Sequence, residues 1–269
     1  MTTDPPPPPR ETWHFDTARV GRRVLVFDVV GSTNTVAAEF GRADPNPDGL
    51  VVLAENQTAG RGRFGRVWRS RPGGSLLMSV VLTLPPELRR PVVVTAWAAV
   101  AAGNAVFALA GVQATIKWPN DLLVGGKKVC GILIEQGGGG DAPIRTVVGI
   151  GLNLNQSDEE FAAAGLPEAA SLAAVAGRPI DLRDAAGAMV RSLDAEYSRL
   201  LAGERVAVEA DWKGRMGLLG RRVVISLTDG ATVTGRLSDM GFDGLTIERP
   251  GALPLVLAPE TVEHVLATT

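Results

Sequence analysis

A single cysteine, Cys130, among 269 residues excludes an intrachain disulfide and a cysteine metal cluster. That usage suits a reducing compartment, so a cytoplasmic protein is expected. Excess positive charge is lacking too. With 27 Lys and Arg against 29 Asp and Glu, a net charge of -2 and a pI near 5.8, no broad basic face is available for nucleic acid. The start of the chain has no signal-peptide core. Five consecutive prolines, Pro5 to Pro9, stand there instead, and residues 1–18 read as an extended, mobile leader.

Long apolar runs are also scarce. Val92 to Gly111 carries no charge and reaches spanning length, but eight alanines with Thr95, Gly103 and Asn104 describe a buried helix covering a sheet, so no membrane partner is expected. Aromatic residues make up only 5%, and the core therefore rests on the many Ala, Val, Leu and Gly residues. At this length it can form one sizeable core and a smaller satellite.

The most telling absence is local: no acidic residue occurs between Glu55 and Glu87, whereas Arg61, Arg63, Arg66, Arg69 and Arg71 all do. Within that window, Gly60-Arg61-Gly62-Arg63-Phe64-Gly65-Arg66-Val67-Trp68 combines approachable backbone, guanidinium groups and one indole, a pattern suited to phosphate or carboxylate. It is neither a phosphate-binding Gly-Lys-Ser/Thr loop nor a three-glycine dinucleotide fingerprint. On its own it reads equally as a surface turn or an RNA-binding Arg/Gly segment, the second at odds with the overall charge.

Around this loop the chain reads as α+β. Strands are expected at 24–27, 50–54, 75–84, 114–118 and 129–135, with 145–154 pairing antiparallel to the last across Gly137 to Gly140. Helices are expected at 34–40, with Ser32 or Thr33 as its cap, at 92–110, and from Leu182 onward behind Asp181. The result is a mixed, largely antiparallel sheet covered by helices. Beyond Trp212-Lys213-Gly214 come short β runs at 223–227, 232–237, 245–248 and 253–257, with Asp229-Gly230 and Asp243-Gly244 as hairpin turns. This divides the chain into a leader (1–18), a main domain (19–213) and a small β-barrel domain (214–269).

Four polar groups require explanation: Ser32-Thr33-Asn34, Gln57 with the arginine loop, Lys117 to Asp121, and Lys127 to Gly131. Each has a plain structural use as cap, turn or solvated charge. Gly131, Gly149 and Gly151 on neighbouring strands would let a flat ligand meet the sheet, or simply serve packing. A carboxylate-plus-nucleotide site accounts for them together. Arginines and Lys128 would meet charged oxygens, Asp121 would help hold Mg²⁺, and Trp68 would stack on a base.

In that order, Ser32-Thr33-Asn34, Gly60 to Trp68, Lys117-Trp118-Pro119-Asn120-Asp121, Lys128 to Glu135 and Gly149-Ile150-Gly151-Leu152-Asn153 resemble the biotin protein ligase family over residues 20 to 269. The resemblance implies a class II synthetase-like catalytic domain with a C-terminal SH3-like module. It also implies activation of biotin with MgATP to biotinyl-5′-AMP, followed by transfer to a lysine of a biotin carboxyl carrier domain of an acyl-CoA or pyruvate carboxylase.

By the same resemblance, Ser32, Thr33, Asn34, Gln57, Gly60 and Arg61 bind biotin, with Gly131 and Lys128. Arg63, Trp68, Asn120, Lys128, Gly149, Gly151 and Asn153 take ATP and the adenylate, and Asp121 is the candidate Mg²⁺ ligand. Lys128, Arg63 and Asp121 are the catalytic candidates, and Cys130 is an inert core residue. The short segment before the first catalytic strand leaves no room for the winged helix of regulatory members, so no DNA binding is expected, and a monomer or weak homodimer is. Phe64 departs from the polar or basic residue found there in family members. Lipoate attachment and simple ligand binding are the rival readings.

Overall fold

The computed structural model describes residues 8–139 and 142–268. Most of the proline run and Gly140 of the expected glycine turn lie outside them. The main sheet has eight strands in the order β1-β2-β3-β4-β8-β7-β6-β5, formed by Glu11–Trp13, Val24–Val30, Val51–Gln57, Ser75–Leu82, Ala142–Asn153, Lys127–Gly139, Asp121–Val124 and Thr115–Lys117 respectively. Only β2 and β3 pair in parallel; the other neighbours are antiparallel, as expected of a mixed, largely antiparallel sheet.

Alternation assigns the two faces. Val148, Ile150 and Leu152 of β8 join Met78 and Val80 of β4 in the large core, covered by helix α2 (Pro91–Ala110). By length and composition α2 could cross a membrane, but it is apolar on all sides because the sheet lies against one side and, after the short helices α3 (Asp158–Ala163) and α4 (Leu172–Ala176), helices α5 (Leu182–Leu201) and α6 (Arg205–Met216) lie against the other. The opposite face takes helix α1 (Thr33–Ala43), whose Val36 and Ala37 meet Phe27, Val52, Val81 and Val147. Along β8 this second face continues from Val147 through Gly149 and Gly151 to Asn153, where the side chains shrink and Asn34 of α1 and Trp68 lie close over the glycines.

Asp181 caps α5 as expected, accepting from the amides of Arg183 and Asp184. The cap on α1 differs: Ser32 stands at the N-cap without a side-chain hydrogen bond to the helix, and the Thr33 hydroxyl is engaged elsewhere. The leader also differs within its described part. Glu11–Trp13 pairs with β2, Trp13 is buried, and the Asp194 carboxylate accepts from the amides of Ala18, Arg19 and Val20, so burial and three charge-assisted bonds hold a segment read as mobile.

The second sheet is antiparallel, in the order β12-β11-β10-β9-β13, over Leu255–Leu257, Leu245–Glu248, Thr232–Met240, Arg222–Leu227 and Val262–Ala267. The expected hairpins join β9 to β10 and β10 to β11, whereas β13, paired with β9, lies beyond the expected strands. Trp118 ties this sheet to the main one. Its indole lies 5.5 Å from Trp212 of α6, itself 5.7 Å from Phe242, and Trp118 Nε1 donates to Val262 O at 3.2 Å. Arg90, just before α2, adds ion pairs to Asp243 and Glu260.

Candidate active site

The arginine loop folds back on itself. Arg61 and Val67 form an antiparallel bridge, the Gly62 amide donates to Arg66 O at 2.7 Å, and the Trp68 amide donates to Gly60 O at 3.0 Å. Glycine is required at position 60, since a Cβ there would stand 2.5 Å from Trp68 O. At the tip, Phe64 takes φ 56°, a left-handed conformation uncommon for a bulky side chain, and its exposed ring lies 4.7 Å from the Arg63 guanidinium carbon.

The hairpin lays Trp68 on the glycine floor. A Cβ on Gly151 would come within 2.6 Å of the indole and one on Gly131 within 3.0 Å. Among the described residues Trp68 Nε1 has no hydrogen-bond partner, so packing holds the ring. Beside it, Lys128 Nζ sits 5.7 Å from the ring centroid and 2.7 Å from Asp121 Oδ1. The Lys128 backbone is clamped to the segment preceding Leu172: its amide donates to Glu168 O, its carbonyl accepts from the Ala170 amide, and Asn153 Nδ2 donates to Ala170 O at 3.1 Å.

Asn120 completes this end. Its Nδ2 donates to Ile132 O at 2.7 Å, leaving Oδ1 3.4 Å from Arg63 Nη1. Burial pushes the Arg63 guanidinium below its ordinary pKa, opposed by the charges of Asp121 and Glu263. A partly desolvated cation of this kind gains most when an anion arrives. Cys130 is completely buried, and burial pushes its thiol up to about 12, consistent with an inert core residue.

At the other end, Thr33, Asn34, Gln57 and Arg61 meet Ser79, which lies outside every sequence motif, and Glu135, which ends the Lys128 to Glu135 motif but carried no assigned role. Gln57 Oε1 accepts from the Thr33 amide at 2.7 Å, and Asn34 Nδ2 donates to Glu135 Oε2 at 3.0 Å. Arg61 grips Glu135 through Nε and Nη2, at 3.2 and 3.0 Å. Ser79 is fully buried between Thr33 and Asn34. A serine between Met78 and Val80, inside the apolar run of β4, is its only signal.

Thr33, Asn34, Gln57, Arg61, Arg63, Trp68, Asn120, Asp121 and Lys128 are therefore brought together over one glycine-lined stretch of sheet. Two glycines fall at opposite ends from those expected: Gly149 lies beneath the Asn34 carboxamide, and Gly131 beneath Trp68 and Lys128. Among the described residues, no three His, Cys, Asp or Glu side chains converge as a metal cage. Asp121 alone suits an ion that arrives with phosphate oxygens, since Mg²⁺ in nucleotide sites commonly takes one or two carboxylates. The arrangement can hold an anion between Arg63 and Lys128 while binding a polar ring near Thr33 and Gln57.

Residues 26–153 match the biotin/lipoate A/B protein ligase family. The biotin–[acetyl-CoA-carboxylase] ligase of Mycobacterium tuberculosis is 31% identical over 250 residues, covering 90% of this chain and 89% of that protein. The bifunctional ligase/repressor BirA of Bacillus spizizenii is 40% identical over 162 residues, 60% of this chain; the chain spans 50% of that relative's length. In fold, the chain is similar to the Aquifex aeolicus biotin protein ligase solved with biotin and ATP, with a TM-score of 0.74 at 22% identity, covering 91% of this chain and 99% of that one.

Proposed function

The chain belongs to the biotin protein ligases of the biotin/lipoate A/B protein ligase family, and from that premise we propose that it attaches biotin to a lysine of a biotin carboxyl carrier domain, using ATP. The observation carrying this reading is the placement of Lys128 Nζ, 2.7 Å from Asp121 and beside Trp68 over Gly131, on the same glycine-lined strands whose Gly149 meets Asn34 of the Thr33–Gln57 cluster.

In the first step a biotin carboxylate oxygen attacks the α-phosphorus of ATP. The P–O bond to pyrophosphate breaks, and biotinyl-5′-AMP forms. Negative charge moves from the carboxylate onto the phosphoryl oxygens, and the Lys128 ammonium and Arg63 guanidinium are the cations placed to stabilise it. Asp121 orients Lys128 through their 2.7 Å ion pair; with the ATP phosphates it would hold Mg²⁺, which would supply charge neutralisation. In the second step the carrier lysine amine attacks the acyl carbon, its proton is lost, and AMP leaves with the bonding pair.

Trp68 covers the adenine and the arginine hairpin keeps water off the anhydride. Ser32, Thr33, Asn34, Gln57, Gly60 and Arg61 bind the biotin ring, with Gly149 beneath Asn34; Asn120, Gly131, Gly151 and Asn153 serve the nucleotide side. We place the catalytic unit at 19–213 and a C-terminal module at 214–269, the division falling within α6. The partners are carrier domains of carboxylases, encountered in the cytoplasm by a monomer or weak dimer.

Biotin-dependent exchange of labelled pyrophosphate into ATP tests this reading, with lipoate run in competition. Exchange with biotin alone supports it. Preferential use of lipoate, or biotin binding without nucleotide turnover, overturns it.

A further inference from the structure

Strand β13 does not pair evenly with β9. Val262 lies opposite Leu227 and His264 opposite Ser226, so Glu263 is the extra residue of a β-bulge. A bulge takes its residue out of the ladder and re-aims the side chain, and bulges are frequent beside active sites. This one stands where the two sheets meet. Val262 O accepts from Trp118 Nε1 at 3.2 Å, and next but one after Trp118 comes Asn120, whose Oδ1 lies 3.4 Å from Arg63 Nη1.

Glu263 is half-buried, and among the described residues no Lys or Arg forms an ion pair with it; His264 Nε2 lies 3.6 Å from its Oε1. Its charge and that of Asp121 both act on the Arg63 guanidinium, against the cost of burying it. Asp121 is engaged with Lys128 at 2.7 Å. Glu263 makes no ion pair or hydrogen bond to Arg63 among the described residues, so it does not aim the guanidinium. It acts on Arg63 through its field alone.

Resting on the ligase reading above, we infer that Glu263, brought from the second sheet by its bulge, is a further residue of the reaction: acting through Arg63, it limits how tightly the site holds phosphate. A cation already offset by a carboxylate gains less when a phosphate arrives. Without that offset the site would hold ATP more tightly, and pyrophosphate and AMP with it. Affinity added equally to the ground state and the transition state does not speed the chemical step, and affinity for products delays their release.

The test measures KM for MgATP and the inhibition constant of pyrophosphate in biotin-dependent adenylate formation. It uses the full chain, Glu263→Gln and Glu263→Ala, which remove the charge with different shapes, and Glu263→Asp, which keeps it. In the two neutral variants both constants should fall roughly two- to fivefold, the effect of one partly exposed charge. The difference should shrink as KCl is raised toward about 1 M, where the screening length is about 3 Å. Glu263→Asp should stay nearer the parent than either neutral variant.

Melting curves establish that each variant is folded, and one folded neutral variant is enough to decide. Unchanged or raised constants there overturn the inference and leave the ligase reading standing. So does a difference that ignores salt, or one that Glu263→Asp reproduces in full, since either would assign the effect to packing. Absence of biotin-dependent pyrophosphate exchange in the parent protein overturns the ligase reading itself.

Discussion

Gly151→Ala would separate the indole from the sheet beneath it. The new methyl would stand 2.6 Å from Trp68 Cε2 and 2.7 Å from Cζ2, whereas carbon atoms rest at about 3.5–4.0 Å, so the ring must lift by about 1 Å. In a rigid core such overpacking costs about 1–3 kcal/mol. Here the ring belongs to a hairpin fastened by the Gly62–Arg66 and Trp68–Gly60 bonds, each worth about 1 kcal/mol, and Nε1 gives nothing up. Alanine in a strand also gains about 0.5–1 kcal/mol over glycine, and φ at position 151 is not positive.

The loop should therefore yield, not the sheet. Global stability should change by less than about 1 kcal/mol, or about 4 °C in Tm for a chain of this size. Loss of a stacked indole is worth about 1–3 kcal/mol, so the adenylate should escape about tenfold faster. The assay is single-turnover release of biotinyl adenylate beside a melting curve. Emission should also shift red, since the other four tryptophans are buried. A large drop in Tm with unchanged release would show that Trp68 is fixed and does not cover the adenylate.

Three further outcomes follow from the same geometry. Lys128→Ala should fold and slow both half-reactions by about 10²–10³-fold, the loss typical of one preorganised electrostatic donor, measured by pyrophosphate exchange and by transfer from preformed adenylate. Asp194→Ala leaves the amides of Ala18, Arg19 and Val20 without their acceptor and should cost about 3 kcal/mol, seen as a Tm lower by roughly 8 °C. Because burial raises the Cys130 thiol to about 12, the group stays protonated through pH 9; iodoacetamide at pH 8.5 should label it only in denaturant, and labelling of native protein would contradict its burial.

Much of this fold was legible because period-2 and period-3.6 patterns were strong where burial is one-sided. Strands β2, β3, β4 and β8 and helix α5 stand close to where alternation, caps and turns put them. The first strand was hidden by length: three residues give too little alternation, and what fixes Glu11–Trp13 is distant, through Val24 to Val26 and the Asp194 carboxylate. Strand β13 was hidden by composition, since Val262–Ala267 carries Glu263 and His264 and depends on pairing with β9.

The same distinction runs through the site. Gly60 to Trp68 and Lys117 to Asp121 were visible as motifs because their neighbours in sequence remain neighbours in space. Ser79 lies outside every motif and Glu135 only closes one, and both become meaningful when β4, β7 and α1 meet at one hydrogen-bonded cluster. Which end of the site each glycine serves depended likewise on where α1 lies across β8.

The most direct measurement is the mass of a purified apo carrier domain before and after incubation with this protein, biotin and MgATP. The account predicts one biotinyl group on one lysine, formed only when biotin and ATP are both present. A carrier that stays unmodified while adenylate accumulates, or one that gains lipoate in preference, would contradict it.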